Sequence, residues 1–199
     1  MKRAILISIK PKYVADILNG KKTIEIRKTM PKCELPVTVY IYCTKQQDIV
    51  RIVKIPRDHY VCERAFDVHK DFLNMHSGWS AKGKVVAKFT LNKIDSYVNG
   101  LNWEYLQKGA GSYDDFESIL KPSCLTEDDL WNYVDDLSFF AWHIENLQIF
   151  DKPMELTDLY KCKLGNNNCL LTKCDGKKCP CCKPVTNAPQ SWFFVEDNL

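Results

Sequence analysis

Residues 21–28 read Lys21-Lys22-Thr23-Ile24-Glu25-Ile26-Arg27-Lys28 and follow Asn19-Gly20. Side chains alternate along a strand, so Thr23, Glu25 and Arg27 share one face and Ile24 and Ile26 take the other. A strand built only for a core does not need a carboxylate and a guanidinium beside a hydroxyl, with lysines at both ends. Glu25 and Arg27 can form a structural ion pair. The same groups suit a ligand. Arg27 takes a phosphate bidentately or stacks on a base, and Glu25 accepts from an exocyclic amine. Lys22 is a phosphate ligand or, if desolvated, a general base.

Upstream, residues 4–9 alternate with Ile5, Ile7 and Ile9 on one side and predict a first strand. Pro11 suits the first turn of a helix. Tyr13, Val14, Ile17 and Leu18 recur at helical spacing, and Gly20 is a stop signal. Lys10 and Lys12 flank the start of that helix, where free N–H groups favour an anion. Downstream, residues 36–44 form a strand with Val37, Val39, Ile41 and Cys43 on one face. Thr38, Tyr40, Tyr42 and Thr44 take the other, an aromatic and hydroxylic face of the kind that stacks bases. Tyr42 and Lys45 are therefore candidate ligand contacts beside the opening motif.

Further strands are expected at 49–53, 83–91, 139–147 and 191–196. Helices are expected at 103–106 and 113–120, and from a capping box in which Thr126 pairs with Asp129. Glu155 to Tyr160 suggests a helical turn. Trp142 and His143 point to opposite faces of their strand. Trp192 suits a core, and His59, His69 and His76 lack ligand spacing. These elements predict an α+β fold, a small β-barrel with peripheral helices. The 199 residues fit a single domain, 1–199, with a helical insertion at 93–137.

The net charge of +3 conceals an asymmetry. Residues 1–60 carry a net +8, residues 61–160 a net −8 and residues 161–199 a net +3. A basic N-terminal third that holds the opening motif favours an anionic partner, nucleic acid first. No apolar run approaches the roughly 20 residues of a membrane span. The short apolar start at residues 4–9 reads as a strand of a cytoplasmic protein.

Of ten cysteines, six crowd into residues 162–182. Clustering without a secretion signal favours metal over disulfides. Cys162, Cys174, Cys179 and Cys182 are the preferred ligands of a structural zinc ion, with Cys169 and Cys181 as alternatives. Residues 161–187 then form a zinc-knuckle-like insert before the last strand. Its interleaved Lys173, Lys177, Lys178 and Lys183 would extend a nucleic-acid-binding surface.

The stretches 7–13, 17–28 and 141–144 together resemble the ASCH domain family of the PUA-like superfamily. The Gly20-x-Lys22-Thr23-x-Glu25-x-Arg27 core carries most of the likeness. The ending Ala188-Pro189-Gln190-Ser191-Trp192-Phe193 is similar to that of phage and prophage members with a cysteine-rich insert. The resemblance covers residues 1–60, 83–92, 138–158 and 188–197. It implies a PUA-like barrel, a cleft lined by the opening motif, and RNA or a nucleotide-like ligand as partner. Some ASCH proteins hydrolyse N4-acetylcytidine through a Lys-Thr-x-Thr-x-Arg motif whose lysine and second threonine are catalytic. Lys22 matches that lysine, and Glu25 stands at the second threonine.

The expected function is binding of RNA or a nucleotide in a basic cleft by Lys10, Lys12, Lys22, Thr23, Glu25, Arg27, Tyr42 and Lys45. One alternative is a metal-independent hydrolase of acylated cytidine or RNA using Lys22 and Glu25. Another is a phage-encoded module that binds a protein partner through the acidic third.

Overall fold

In the computed structural model β1 (Arg3–Ile9) is buried on both faces, because it is central to the larger sheet. It pairs parallel with β3 (Val37–Cys43) and antiparallel with β14 (Trp192–Glu196). Beyond β3 lie β7 (Val85–Leu91) and the edge strand β11 (Glu145–Met154), giving the order β11-β7-β3-β1-β14. The structure describes residues 3–47, 49–53, 65–69, 79–98, 101–102, 114–134, 138–162 and 181–197.

A parallel β1–β3 pair needs a crossover, and α1 (Pro11–Leu18) lies within it. Pro11 opens the helix as expected, and Gly20 follows it at φ +73°, which glycine adopts without strain. Val14, Ala15, Ile17 and Leu18 pack in one core with Ile5, Ile7, Val39, Ile41 and Phe89.

The opposite face of the same sheet is also buried. Ala4, Leu6, Tyr40, Tyr42 and Val85 meet Phe150, Met154, Leu159, Val185 and Phe193. Tyr42 was expected on an open stacking face. It lies instead in this second core, because the segment after β11 folds back over the sheet.

The smaller sheet has the order β2-β10-β8-β9. Its strands are β2 (Ile24–Arg27), β8 (Ile94–Val98), β9 (Leu101–Asn102) and β10 (Phe139–His143). Ile24, Ile26, Tyr97, Phe139 and Ala141 form its core with Ile119 of α2 (Asp114–Ser123) and Leu130 of α3 (Glu127–Tyr133). The Thr126–Asp129 capping box begins α3 as expected. Residues 93–137, expected as a helical insertion, supply two strands of this sheet as well as two helices. Burial alternates along β8, with Asp95 and Tyr97 inward, but the residue types Ile94-Asp95-Ser96-Tyr97-Val98 do not alternate in polarity. The helix expected at 103–106 falls outside the described residues.

Two small sheets complete the fold. β4 (Ile49–Val53) lies between β5 (Ala65–His69) and β6 (Trp79–Ser80). β12 (Tyr160–Cys162) and β13 (Cys182–Pro184) form a pair. A 3₁₀ turn at Leu156–Asp158 supplies the helical turn expected near residue 155.

The architecture is α+β, but the expected barrel does not close among the described residues. β2 pairs with β10 alone, and α2 packs against it, so no ladder runs from one large sheet to the other. The chain changes sheets at Ile144, and the single strand expected at 139–147 is therefore β10 and β11. Pro153 sits within β11, which a proline tolerates on an edge strand. Among the described residues no helix is long and apolar enough to cross a membrane.

Candidate functional site

The opening motif runs into β2, at the edge of the smaller sheet, and with the end of β1 lines the floor of a cleft of about 530 Å³. Its backbone is fixed first. The amides of Lys21 and Lys22 both donate to the Asp16 carbonyl at the end of α1, at 2.9 and 3.0 Å. Thr23 N–H then donates to the Pro122 carbonyl at 2.8 Å, and Ile144 N–H donates to the Thr23 carbonyl. β2 follows, with Glu25 opposite Trp142 and Arg27 opposite Phe140 on β10.

Lys22, Glu25 and Arg27 form one buried charge cluster, at 2%, 7% and 6% exposure. Lys22 Nζ lies 3.3 Å from Glu25 Oε2, and Arg27 Nη2 lies 2.8 Å from Glu25 Oε1. Lys22 Nζ also donates to the Ser123 carbonyl at 2.5 Å, placing a cation at the C-terminus of α2 where helix carbonyls lack partners. Arg27 donates to the Ser8 carbonyl at 2.8 Å and to Ser191 Oγ at 3.2 Å. Its Nε is buried and has no hydrogen-bond partner among the described residues. Arg27 thus ties β2 to the ends of β1 and β14. The ion pair that the sequence allowed is present, and the same three residues line the cleft.

Of the other expected contacts, Lys10 lines the cleft and is exposed. Thr23, Lys12 and Lys45 do not line it. Thr23 is exposed just before β2. Lys12 reaches over the Tyr13 ring at 5.4 Å. The stem of Lys45 crosses Gly83, where an added Cβ would meet it at 2.7 Å. Tyr42 is buried on the far side of the larger sheet.

Several wall residues were not foreseen. Tyr13 lies beside Lys22, whose Nζ is 5.2 Å from the ring centroid. Burial, then the charges of Asp129 and Glu25, push the Tyr13 hydroxyl pKa up, so it remains a neutral donor. Asp129, Asn132 and the exposed Tyr133 line the cleft from α3, and Gln190 and Ser191 from the run before β14. Helical spacing at Asp129, Asn132 and Tyr133 was the one available signal. Nothing local in the sequence marks Ser191. Asp129 adds a second carboxylate to Glu25, so the cleft is less basic than expected.

His143 pairs through Nε2 with Asp95 Oδ2 at 2.7 Å. Lys93 Nζ lies 2.9 Å from Asp95 Oδ1. Burial works to raise the Asp95 pKa, but the His143 and Lys93 bonds and charges outweigh it and hold it below the ordinary aspartate value. A carboxyl with a lowered folded pKa stabilises above its unfolded pKa, and that contribution fades as pH falls through the folded value. Asp95→Asn is therefore expected to lower the thermal midpoint at neutral pH. The gap from wild type should narrow as pH falls below about 4. Midpoints measured across pH check this, and a constant gap would contradict it.

Of the expected zinc ligands, Cys162 and Cys182 face each other across β12 and β13. Cys174 and Cys179 fall outside the described residues, as does Cys169.

A family model for the ASCH domain matches residues 7–154. No curated protein matches the chain. Among solved structures, the chain is similar to ASCH from Zymomonas mobilis, at 16% identity and a TM-score of 0.48, covering 98% of this chain and 88% of that one. A tyrosine mutant of that protein gives 15% identity and a TM-score of 0.49, covering 98% and 91%. The match to the family model spans the buried Lys22–Glu25–Arg27 cluster and most of the cleft around it, and the chain belongs to the ASCH domain family.

Proposed function

We propose that the cleft binds one nucleotide unit of RNA, or a free nucleotide-like ligand. The observation that carries this reading is the buried Lys22–Glu25–Arg27 cluster at the floor of an open cleft. A pocket of about 530 Å³ has the volume of a small-ligand site. Each carboxylate oxygen of Glu25 has one cation partner, and a carboxylate accepts about four hydrogen bonds, so acceptor capacity remains for a base amine. Asn132 and Gln190 offer amides to base edges. Tyr133 offers an exposed ring, and Lys10 a charge at the rim for phosphate. Asp129 disfavours an extended phosphate track and favours a single base-sized ligand. ASCH membership supports the same class of partner. The phage-type ending, which rests on the sequence resemblance, and a cytoplasmic setting, which rests on reading residues 4–9 as a strand, belong to this proposal.

The test is a titration of short single-stranded RNAs and nucleoside monophosphates at several salt concentrations. Affinity should fall with salt, because phosphate contacts release counterions, and Lys10→Ala should reduce the salt slope by about one contact. Tyr133→Ala removes a stacking ring and is expected to weaken binding by about 1–3 kcal/mol. Absence of binding, or binding indifferent to salt and to both variants, rejects the proposal. Turnover of an acylated cytidine that is lost in Lys22→Ala would replace it with the hydrolase. A protein captured in a nuclease-insensitive complex would replace it with the interaction module.

A further inference from the structure

A second cluster lies away from the cleft, where the hairpin of β12 and β13 meets β14. Cys162 and Cys182 are direct cross-strand partners, and β12 packs beside β14. This brings Glu196 to the two thiols. The two Sγ atoms and a carboxylate oxygen all lie within 4.8 Å of one another. Glu196 is 3% exposed. Cys162 N–H donates to its carboxylate, while Oε2 is buried and has no hydrogen-bond partner among the described residues. A buried carboxylate oxygen without a partner is costly unless a donor or a cation satisfies it.

We propose that Cys162, Cys182 and Glu196 bind a zinc ion that clamps the β12–β13 hairpin onto edge strand β14. Two thiolates and one carboxylate are a donor set that zinc accepts, whereas magnesium and calcium prefer oxygen alone. On binding, each thiol releases its proton to solvent as a sulfur–zinc bond forms, with no change of oxidation state. The three anionic donors exceed the charge of the ion, so the loaded site is negative. That charge offsets the repulsion of Lys161 and Lys183, which oppose each other one register step away. The sequence pointed to the two cysteines but not to Glu196, which lies outside the cysteine-rich run and on a different strand. Glu196 supplies the third donor from a strand already held in the larger sheet. The clamp therefore anchors the hairpin to the fold.

The experiment uses the full chain, purified under reducing conditions, stripped with a chelator and titrated with Co²⁺ and then Zn²⁺. Wild type should bind about one equivalent of Co²⁺ with a sulfur-to-cobalt charge-transfer band that zinc displaces. Cys162→Ser and Cys182→Ser should each weaken binding by more than about 100-fold, beyond the loss of an outer-shell partner, and diminish that band. Glu196→Gln keeps an acceptor for Cys162 N–H and should retain the sulfur band while weakening affinity at least about 10-fold. Circular dichroism of each metal-free variant separates lost ligation from lost folding. If a serine variant does not fold, Glu196→Gln carries the decision. Any of four results overturns the proposal. These are no near-stoichiometric metal in wild type, full affinity in the Cys162→Ser/Cys182→Ser double variant, unchanged affinity in Glu196→Gln, or a Cys162–Cys182 disulfide recovered in metal-free protein.

Discussion

Glu25→Ala is expected to lower the unfolding free energy by about 3–5 kcal/mol, the range for removing one partner of a buried ion pair. Glu25 is the only carboxylate within ion-pair distance of either Lys22 or Arg27 among the described residues, and both cations are buried. Without it, Lys22 keeps the Ser123 carbonyl, and Arg27 keeps the Ser8 carbonyl and Ser191 Oγ. Those are neutral acceptors, and they leave two positive charges facing each other away from water. Lys22→Met in the Glu25→Ala background removes one of those charges and should recover part of the loss, with a coupling of about 0.5–3 kcal/mol. Denaturant midpoints for the two single variants and the double variant measure this. A loss below about 1 kcal/mol, the ceiling typical of exposed pairs, would mean that water already solvates the cluster.

Trp142→Ala should be comparably damaging, at about 3–5 kcal/mol. Trp142 is fully buried and joins the core of the larger sheet although it stands on β10 of the smaller one. Its ring lies 5.7 Å from that of Trp192 at the start of β14. Truncation therefore opens a cavity where the two sheets meet and removes the cross-strand neighbour of Glu25. Trp142→Phe is expected to cost well under half as much. Trp142 Nε1 is buried without a hydrogen-bond partner among the described residues, so losing that N–H relieves a penalty of about 1–3 kcal/mol. Affinity for the proposed nucleotide ligand should fall in the same order across the two variants. Thermal unfolding and ligand titration on the same samples check the pair of expectations, and a Phe variant as unstable as the Ala variant would contradict the account.

Local chemistry made much of the fold readable. Pro11 and Gly20 delimit α1, Thr126 with Asp129 starts α3, and alternation locates β1, β3 and β7. These signals act over a few residues and need no knowledge of neighbours. Alternation cannot say what covers a face, and that is why Tyr42 was misplaced. Tyr40 and Tyr42 read as an open platform, but Phe150, Met154, Leu159, Val185 and Phe193 pack over them. The same limit hid the change of sheet at Ile144 and the strands within 93–137. In the cleft, Glu25 and Arg27 were legible because their period-two spacing puts them on one face, and Lys22 reaches Glu25 from just before the strand. Ser191 and Ser8 were not, since each reaches Arg27 only through the tertiary fold. Glu196 was missed because the thiols drew attention to one crowded segment, whereas a ligand set is defined in space.

The pairing of β1 with both β3 and β14 sets an order of events during synthesis. Ser8 donates its hydroxyl to the Pro189 carbonyl, 181 residues further along, and the amide of Ser8 donates to the Ser191 carbonyl. A nascent chain can form α1 and the β1–β3 pair early. One edge of β1, and the Ser191 side of the Arg27 cage, must wait until the ribosome has passed residue 191. At about 5–20 residues per second, roughly ten seconds or more separate the emergence of the two halves of the cleft. During that interval β1 presents an apolar, unpaired edge, the feature most open to pairing with another chain. β14 thus acts as a timer as well as a wall: the Arg27 cage is completed together with protection from aggregation, in a single late step.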